Sequence, residues 1–390
     1  MTDEPRRSPS PGQASQRFSA VRTRAVSLPL HSPFVTSLRR AGTVESLLVE
    51  IDTTDGGRGR GEAPQVWQVT GESVAGAAAC VEQMLAPLIV GRPCSEWREL
   101  CDDVQRAVAR NCGAKAAVET AHCDIVARDA GRSMAMVLAS HNPTAAGIPA
   151  AVFDGSGGVR SVATDVTISA ADPAAMAESA AARVASGFTH LKLKVGADLD
   201  TDLARVRAVR AAISDWPLRL DANQAWTPIV AVAIIDALAA EGLDIEFVEQ
   251  PVPAADVEGL AWVRARSALP IVADEAVFTM ADLERVIAAE AADGVNVKLA
   301  KCGGPLRAAA LVRRAHDAGL ATMVGSMMEG PVGVGAAAEV ALAVGCSLVN
   351  DLDAAWWLAD LDDPDLGDVA LTYEAGHVVL GRSQRPDEPR

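Results

Sequence analysis

From about residue 160 to 355 the chain repeats one unit: a short apolar run, a polar residue closing it, then an Ala-rich amphipathic stretch. The runs are ATDVTIS (163–169), HLKLKV (190–195), LRLDAN (218–223), IEFVEQP (245–251), PIVADE (270–275), GVNVKLA (294–300), ATMVGSMME (321–329) and SLVNDLD (347–353). The gaps between them hold helix candidates such as PAAMAESAAARVASG and LRAAALVRRAHDAG, the second ending in Gly319 as a C-terminal cap. Short strands alternating with helices predict parallel β/α units. Eight strands at near-constant spacing favour a closed barrel over an open doubly wound sheet.

Barrel active sites gather at the C-terminal ends of the strands, so the residues standing there carry the functional argument. They are Thr167, Lys192 with Lys194, Asp221, Glu249, Asp274, Lys298, Ser326 with Glu329, and Asp351 with Asp353. The steps from Lys194 to Asp221, Glu249, Asp274 and Lys298 are 27, 28, 25 and 24 residues, which puts the charges at equivalent points on consecutive strands. One charged residue beside a loop is ordinary. An ordered series is less so, and lysines inside HLKLKV and GVNVKLA are costly to bury unless they have a task.

Three carboxylates from adjacent strands form a set of oxygen ligands, and Asp221, Glu249 and Asp274 suit a hard cation such as Mg²⁺. Lys194 and Lys298 come from strands on opposite sides of that triad. A substrate held there would have a lysine on each face. Lys192 and Lys194, at i and i+2, point to one side of their strand. Lys192 and the cation should poise Lys194 as a neutral base. This chemistry fits removal of a proton α to a carboxylate, with the cation and Lys192 stabilising the enediolate.

The words HLKLKVG, LDANQAW, VEQPV, ADEAVF and NVKLAKCGG together resemble the enolase superfamily, in its muconate-lactonizing-enzyme subgroup, over roughly residues 21–380. The resemblance implies a modified TIM barrel, (β/α)₇β, with an N-terminal α+β capping domain. It implies Asp221, Glu249 and Asp274 as Mg²⁺ ligands and Lys194 and Lys298 as the acid/base pair. The eighth strand word, NDLDAAWW, carries a D-x-D that resembles the dipeptide epimerases, where such a pair holds the substrate's ammonium. Two acceptors at i and i+2 make a compact cation site, so Asp351 and Asp353 are expected to bind that group. Thr167 in TDVT and Ser326 in MVGSMMEG match positions lining the substrate. SPFVTSLRR resembles the capping loop of the L-Ala-D/L-Glu epimerases, which makes Arg39 the candidate partner of a glutamate side chain. The chain departs from that pattern at Val35, at Gly330, at the bulky pair Trp356 and Trp357, and in GGRGRGEAPQVW (56–67), an insertion-like stretch placed at the lid.

The resulting expectation is a Mg²⁺-dependent dipeptide epimerase of the L-Ala-D/L-Glu type. An N-acylamino acid racemase or an o-succinylbenzoate synthase is the alternative, and a catalytically retired binding protein is the third class. Residues 1–20, rich in Pro, Ser and Arg, read as a disordered leader. Residues 21–145 read as the capping domain, 146–365 as the barrel, and 366–390 as a segment returning to the capping domain. The formal charge is 35 − 51 = −16, which argues against a nucleic-acid partner and against an anionic membrane surface. Seven cysteines without a C-x-x-C pair fit reduced thiols and a cytoplasmic setting. The partner is expected to be a small dipeptide, and the chain is expected to form a homo-oligomer. His122 and Cys123 lie in a helical stretch and are expected to pack rather than ligate.

Overall fold

The computed structural model describes residues 16–140, 160–361, 366 and 370–381. The leader up to residue 15 and the expected 145/146 and 365/366 domain boundaries therefore lie outside the described residues, at least in part. The chain enters its first strand at Phe18, inside the expected leader. Phe18 is fully buried and packs against His122 with ring centroids 4.9 Å apart, so its burial fixes the start of the strand.

Strands β1 (Phe18–Val35), β2 (Arg40–Thr53) and β3 (Arg58–Pro64) form an antiparallel sheet. The stretch expected to be an insertion at the lid is instead largely β3. Its glycines are needed for close packing: a Cβ at Gly59 would lie 2.1 Å from the Ala121 carbonyl oxygen, and one at Gly61 1.8 Å from that of Ala117. Helices α1 (Val74–Cys80), α2 (Ala86–Ile89), α3 (Trp97–Ala107), α4 (Cys112–Asp129) and α5 (Met134–Ala139) complete this part. Helix α4 is buried on nearly all sides, between β3 and the barrel. His122 packs within it, and burial pushes its imidazole down to about 3.

Strand β4 (Arg160–Ala163) leads into the β/α repeat: β5 (Val166–Ile168), α6 (Pro173–Ala185), β6 (Leu191–Lys194), α7 (Leu199–Ile213), β7 (Leu218–Asp221), α8 (Pro228–Ala240), β8 (Ile245–Glu249) and α9 (Val257–Arg264). It continues through β9 (Ile271–Ala273), α10 (Met280–Ala288), β10 (Gly294–Lys298), α11 (Leu299–Cys302), α12 (Pro305–Asp317), β11 (Ala321–Gly325) and α13 (Pro331–Val344). The helices start where the sequence offers caps. Asp172, Asp198, Thr227, Asp256 and Thr279 each accept a backbone N–H of the first turn, and α6, α8, α12 and α13 begin with proline. Gly319 follows α12 in the left-handed region, at φ 78°.

Strands β5 to β11 form one parallel sheet in sequence order. The eighth segment closes it with two single-residue bridges, Asn350 to Thr164 on one edge and Asp351 to Gly325 on the other. It is shorter than the run expected over 347–353: only Asn350 and Asp351 are bridged, and a 3₁₀ turn, Ala354–Trp357, follows. The C-terminal hairpin, β12 (Leu371–Glu374) and β13 (His377–Leu380), pairs with β4, the strand that enters the barrel. No helix among the described residues is long and apolar enough to cross a membrane.

Buried carboxylates join the two parts. Glu62 of β3 accepts the N–H groups of Gly330 (2.6 Å) and Gly333 (3.0 Å) at the start of α13. Glu119 of α4 accepts that of Leu306 (2.8 Å) at the start of α12. Burial pushes the Glu119 carboxyl from 4.5 up to about 7, with Arg307 and the Leu306 amide opposing it. The folded chain therefore holds this proton more tightly than the unfolded chain does. The resulting stability is complete below about pH 4.5 and is lost as pH rises through about 7. Glu119→Gln should remove that slope, a difference of up to about 3 kcal/mol across the window. Urea midpoints of both proteins from pH 4.5 to 8 measure it. Parallel pH profiles would assign the slope to other groups.

Candidate active site

The ends of the parallel strands place the expected residues in one ring. Lys194, Asp221 and Glu249 are register partners across β6, β7 and β8, so their side chains leave the sheet at one level. Asp274 follows β9 directly and Lys298 ends β10. All five are buried. Thr167, Lys192 and Arg219 form a second level of register partners on β5, β6 and β7.

Each lysine meets a carboxylate. Lys194 Nζ is 2.5 Å from Asp221 Oδ2. Lys192 Nζ is 2.5 Å from Asp351 Oδ1 and 3.8 Å from Glu249 Oε2. Lys298 Nζ is 2.9 Å from Asp274 Oδ2 and 3.4 Å from Asp351 Oδ2. The ammonium of Lys194 thus rests on a metal-ligand candidate and is matched by a counter-charge there. Burial works against the charge on Lys298, but Asp274 and Asp351 outweigh it and hold the lysine well above its usual range. Lys192 is raised in the same way, with Asp351 and Glu249 overcoming burial.

Glu249 differs from its neighbours. Its Oε1 accepts from Asn296 Nδ2 at 2.7 Å, but the buried Oε2 has no hydrogen-bond partner. Burial, followed by the like charges of Asp221 and Asp274, pushes this carboxyl up to about 8 despite Lys192. An orphaned carboxylate oxygen between two further acids is a place suited to a cation. The donor set, all carboxylate oxygen, fits Mg²⁺. A tighter cluster lies elsewhere: oxygens of Asp165, Asp351 and Asp353 fall within 4.8 Å of one another. Cations stand beside both sets, Arg219 at Asp165 and Lys192 at Asp351 in one, Lys194 at Asp221 and Lys298 with Lys301 at Asp274 in the other. In the tighter cluster Asp353 Oδ2 is already taken by the Thr167 amide and the Trp357 indole, whereas Asp221, Glu249 and Asp274 stand at three consecutive strand ends around the unpartnered Glu249 Oε2, which makes the triad the candidate for the ion.

Several residues that build the site were not singled out from the sequence. Lys301 donates to Asp274 Oδ1 (2.5 Å), to the Asp274 carbonyl and to the Asn296 carbonyl (3.0 Å). Asn296 bridges Glu249 and Asp351. Asn223 donates its side-chain amide to Asp221 and to Glu275. Gln250 Oε1 accepts the backbone N–H groups of Asp274 and Ala276, both at 3.0 Å, and so sets the turn that presents Asp274. Asn223 and Gln250 lie at positive φ, 44° and 35°, directly after two strand ends. The visible signal for Lys301 is its place three residues after Lys298 in the apolar word NVKLAKCGG, one helical turn away.

The ring opens into a cleft of about 560 Å³, its mouth included. Thr167, Lys192, Lys194, Asp274, Lys298, Ser326, Asp351 and Asp353 line it from the barrel, and Phe34, Leu38, Arg39, Val66 and Gln68 from the capping part. The backbone N–H of Ser326 donates to the Asp351 carbonyl at 2.9 Å, which ties β11 to the D-x-D segment. The guanidinium of Arg39 has no ion pair or hydrogen bond among the described residues, and burial lowers its affinity for the proton with no acid opposing. The geometry thus brings Arg39 to one cleft with Thr167, Lys192, Lys194, Asp274, Lys298, Ser326, Asp351 and Asp353; Asp221 and Glu249 stand beside Lys194 and Lys192 without lining it, and Glu329 accepts the Met327 N–H outside the lining.

Comparison with known proteins gives the same frame. The family described as mandelate racemase / muconate lactonizing enzyme, N-terminal domain, matches residues 19–139, and that described as enolase C-terminal domain-like matches 175–389. The L-Ala-D/L-Glu epimerase of Bacillus subtilis (strain 168) is 36% identical over 362 residues, covering 92% of this chain and 93% of its own. The L-amino acid-D/L-Glu epimerase of Francisella philomiragia is 32% identical, covering 92% and 95%. A substrate-liganded structure of the Bacillus subtilis L-Ala-D/L-Glu epimerase superposes with a TM-score of 0.85 at 34% identity, covering 93% and 96%.

Proposed function

The chain belongs to the enolase superfamily, in its mandelate racemase / muconate lactonizing enzyme branch, and from that premise we propose that it is a Mg²⁺-dependent dipeptide epimerase. The reaction inverts the α-carbon of the dipeptide's C-terminal residue by two-base proton transfer. The observation that carries this reading is the buried pair Asp351 and Asp353, which lines the same cleft as Lys194 and Lys298. A pair of acids beside the proton-transfer lysines suits a substrate bearing an ammonium as well as a carboxylate.

Asp221, Glu249 and Asp274 would hold Mg²⁺, which when bound draws charge from the substrate carboxylate and eases loss of the α-proton. Lys192 adds a fixed positive charge beside that carboxylate. Lys194 and Lys298 stand on either side of the acids in strand order, so one takes the α-proton while the other delivers a proton to the opposite face. Asp351 and Asp353 bind the ammonium, and Thr167 and Ser326 flank the substrate. Residues 21–145 act as the lid, excluding water and contributing Arg39. A half-buried guanidinium with no acid facing it suits an acidic side chain, which supports L-Ala-D/L-Glu as the substrate class.

The test is α-proton exchange in D₂O with Mg²⁺ over a library of L-Ala-Xaa and L-Xaa-L-Glu dipeptides. N-acetylation of L-Ala-L-Glu removes the ammonium and leaves the free oxygen of the buried Asp353 unmatched, at a cost of about 2–5 kcal/mol. That corresponds to a loss of roughly 30- to several-thousand-fold in kcat/KM. Equal turnover of free and acetylated dipeptide would replace this reading by an N-acylamino acid racemase. Arg39→Met should lower kcat/KM on L-Ala-L-Glu while sparing L-Ala-L-Leu. An unchanged Glu-to-Leu ratio would remove only the assignment of the side chain.

A further inference from the structure

Trp357 is where the eighth barrel segment meets the capping part. Its indole N–H donates to Asp353 Oδ2 at 3.0 Å, and the backbone N–H of Thr167 donates to the same oxygen at 2.7 Å. Asp353 Oδ1 has no hydrogen bond among the described residues, and the residue lines the cleft. One oxygen is thus anchored and the other is left for a ligand. Trp357 is 2% exposed; Trp356 and Arg183 pack its ring from the barrel, at 5.6 and 5.3 Å, and two residues of the capping part complete the clamp. His31 stacks on it with centroids 5.4 Å apart and planes at 10°, and Phe34 meets it edge-on at 5.2 Å. Both come from the end of β1, the strand that leads into the Arg39 loop. The chain is pinned there as well, because the N–H of Ala359 donates to the Pro29 carbonyl at 2.9 Å.

We propose that Trp357 is a positioning residue for Asp353: its N–H fixes the carboxylate that receives the ammonium, and its ring takes that position from the capping segment. Seating of the lid and presentation of Asp353 are then a single packing event. A carboxylate on a short side chain has two free torsions, and two donors on one oxygen hold both. With only the Thr167 amide left, the group swings, and the ammonium must order it on binding. The inference rests on the dipeptide reading and adds to it how this chain orients the acid.

The experiment compares kcat and KM of wild type, Trp357→Phe and Trp357→His on free L-Ala-L-Glu and on its N-acetyl derivative. Phenylalanine keeps a ring for His31 and Phe34 and deletes the donor. Its kcat/KM on free dipeptide should fall about ten- to hundredfold, mainly through KM, because a hydrogen bond to a charged group is lost. The acetylated substrate, which has no cation for Asp353, should change by less than about twofold. Histidine retains a ring N–H and should recover part of the preference. The ratio is taken within one preparation, so a partly unfolded variant lowers both rates and leaves the ratio intact. Equal losses on the two substrates, or an unchanged ratio in Trp357→Phe, overturn the proposal while leaving the dipeptide epimerase standing. A wild type that does not prefer the free dipeptide overturns both.

Discussion

Lys298→Ala should abolish epimerisation, and so should Lys194→Ala, each by about 10²–10⁴-fold, the range for loss of a positioned proton-transfer group. The informative readout is exchange rather than inversion. With one lysine gone, deuterium should still enter the stereoisomer whose α-proton faces the surviving lysine and fail to enter the other. The two variants should show opposite patterns by NMR. This follows from strand order, since β6 and β10 are separated by the three acid-bearing strands and must approach the substrate from different sides. Epimerisation at the wild-type rate in either variant would remove the two-base assignment.

Asp221→Asn, Glu249→Gln and Asp274→Asn should each weaken Mg²⁺ binding and lower activity by several orders of magnitude. They differ in what they leave behind. Asp221→Asn and Asp274→Asn strip a counter-charge from Lys194 and from Lys298 with Lys301, respectively. A buried ammonium that loses its acid is destabilising, by about 3–5 kcal/mol where no water reaches it. Glu249→Gln removes charge from the member of the triad whose buried Oε2 has no hydrogen-bond partner among the described residues. It should therefore leave the metal-free protein as stable as wild type or more so. Mg²⁺ titration followed by thermal melting separates these effects from activity: wild type should gain stability with added Mg²⁺ and Glu249→Gln should not. Activity indifferent to chelation and to all three substitutions would exclude the triad as the metal site.

The parts legible in the sequence were those repeated at a fixed interval. From β6 to β10 each strand ends on, or directly before, a charged residue about twenty-five positions after the last, so the ring Lys194, Asp221, Glu249, Asp274 and Lys298 could be read without coordinates. The residues that hold the ring were not readable in this way. Gln250 follows Glu249 in VEQP and looks like a loop residue, yet its amide oxygen carries two backbone donors across to the next strand. Lys301 carried no strand-end position to single it out and is fully buried against Asp274. Their roles depend on which neighbour lies across a turn, and one strand's periodicity contains no information on that. The glycines of β3 misled for a related reason. A Gly-rich word reads as a flexible insertion, whereas here the missing Cβ atoms let α4 sit against the sheet.

The two-bridge closure of the barrel has a consequence for how such an enzyme can diversify. The acids and lysines proposed for proton transfer stand at or directly after strands laddered on both sides, where a shift in backbone would break several hydrogen bonds at once. The acids proposed to read the ammonium stand on or just after a short segment held by one bridge and a few backbone hydrogen bonds at each edge, and by side chains such as Trp357 and Asn350. Reaction chemistry and substrate choice are therefore mounted on different parts of the barrel, held in different ways. Substitution within residues 350–357 can retune the accepted amine while the lysines and the triad keep their register. A laboratory search for new specificities in this chain should spend its mutations on that seam first.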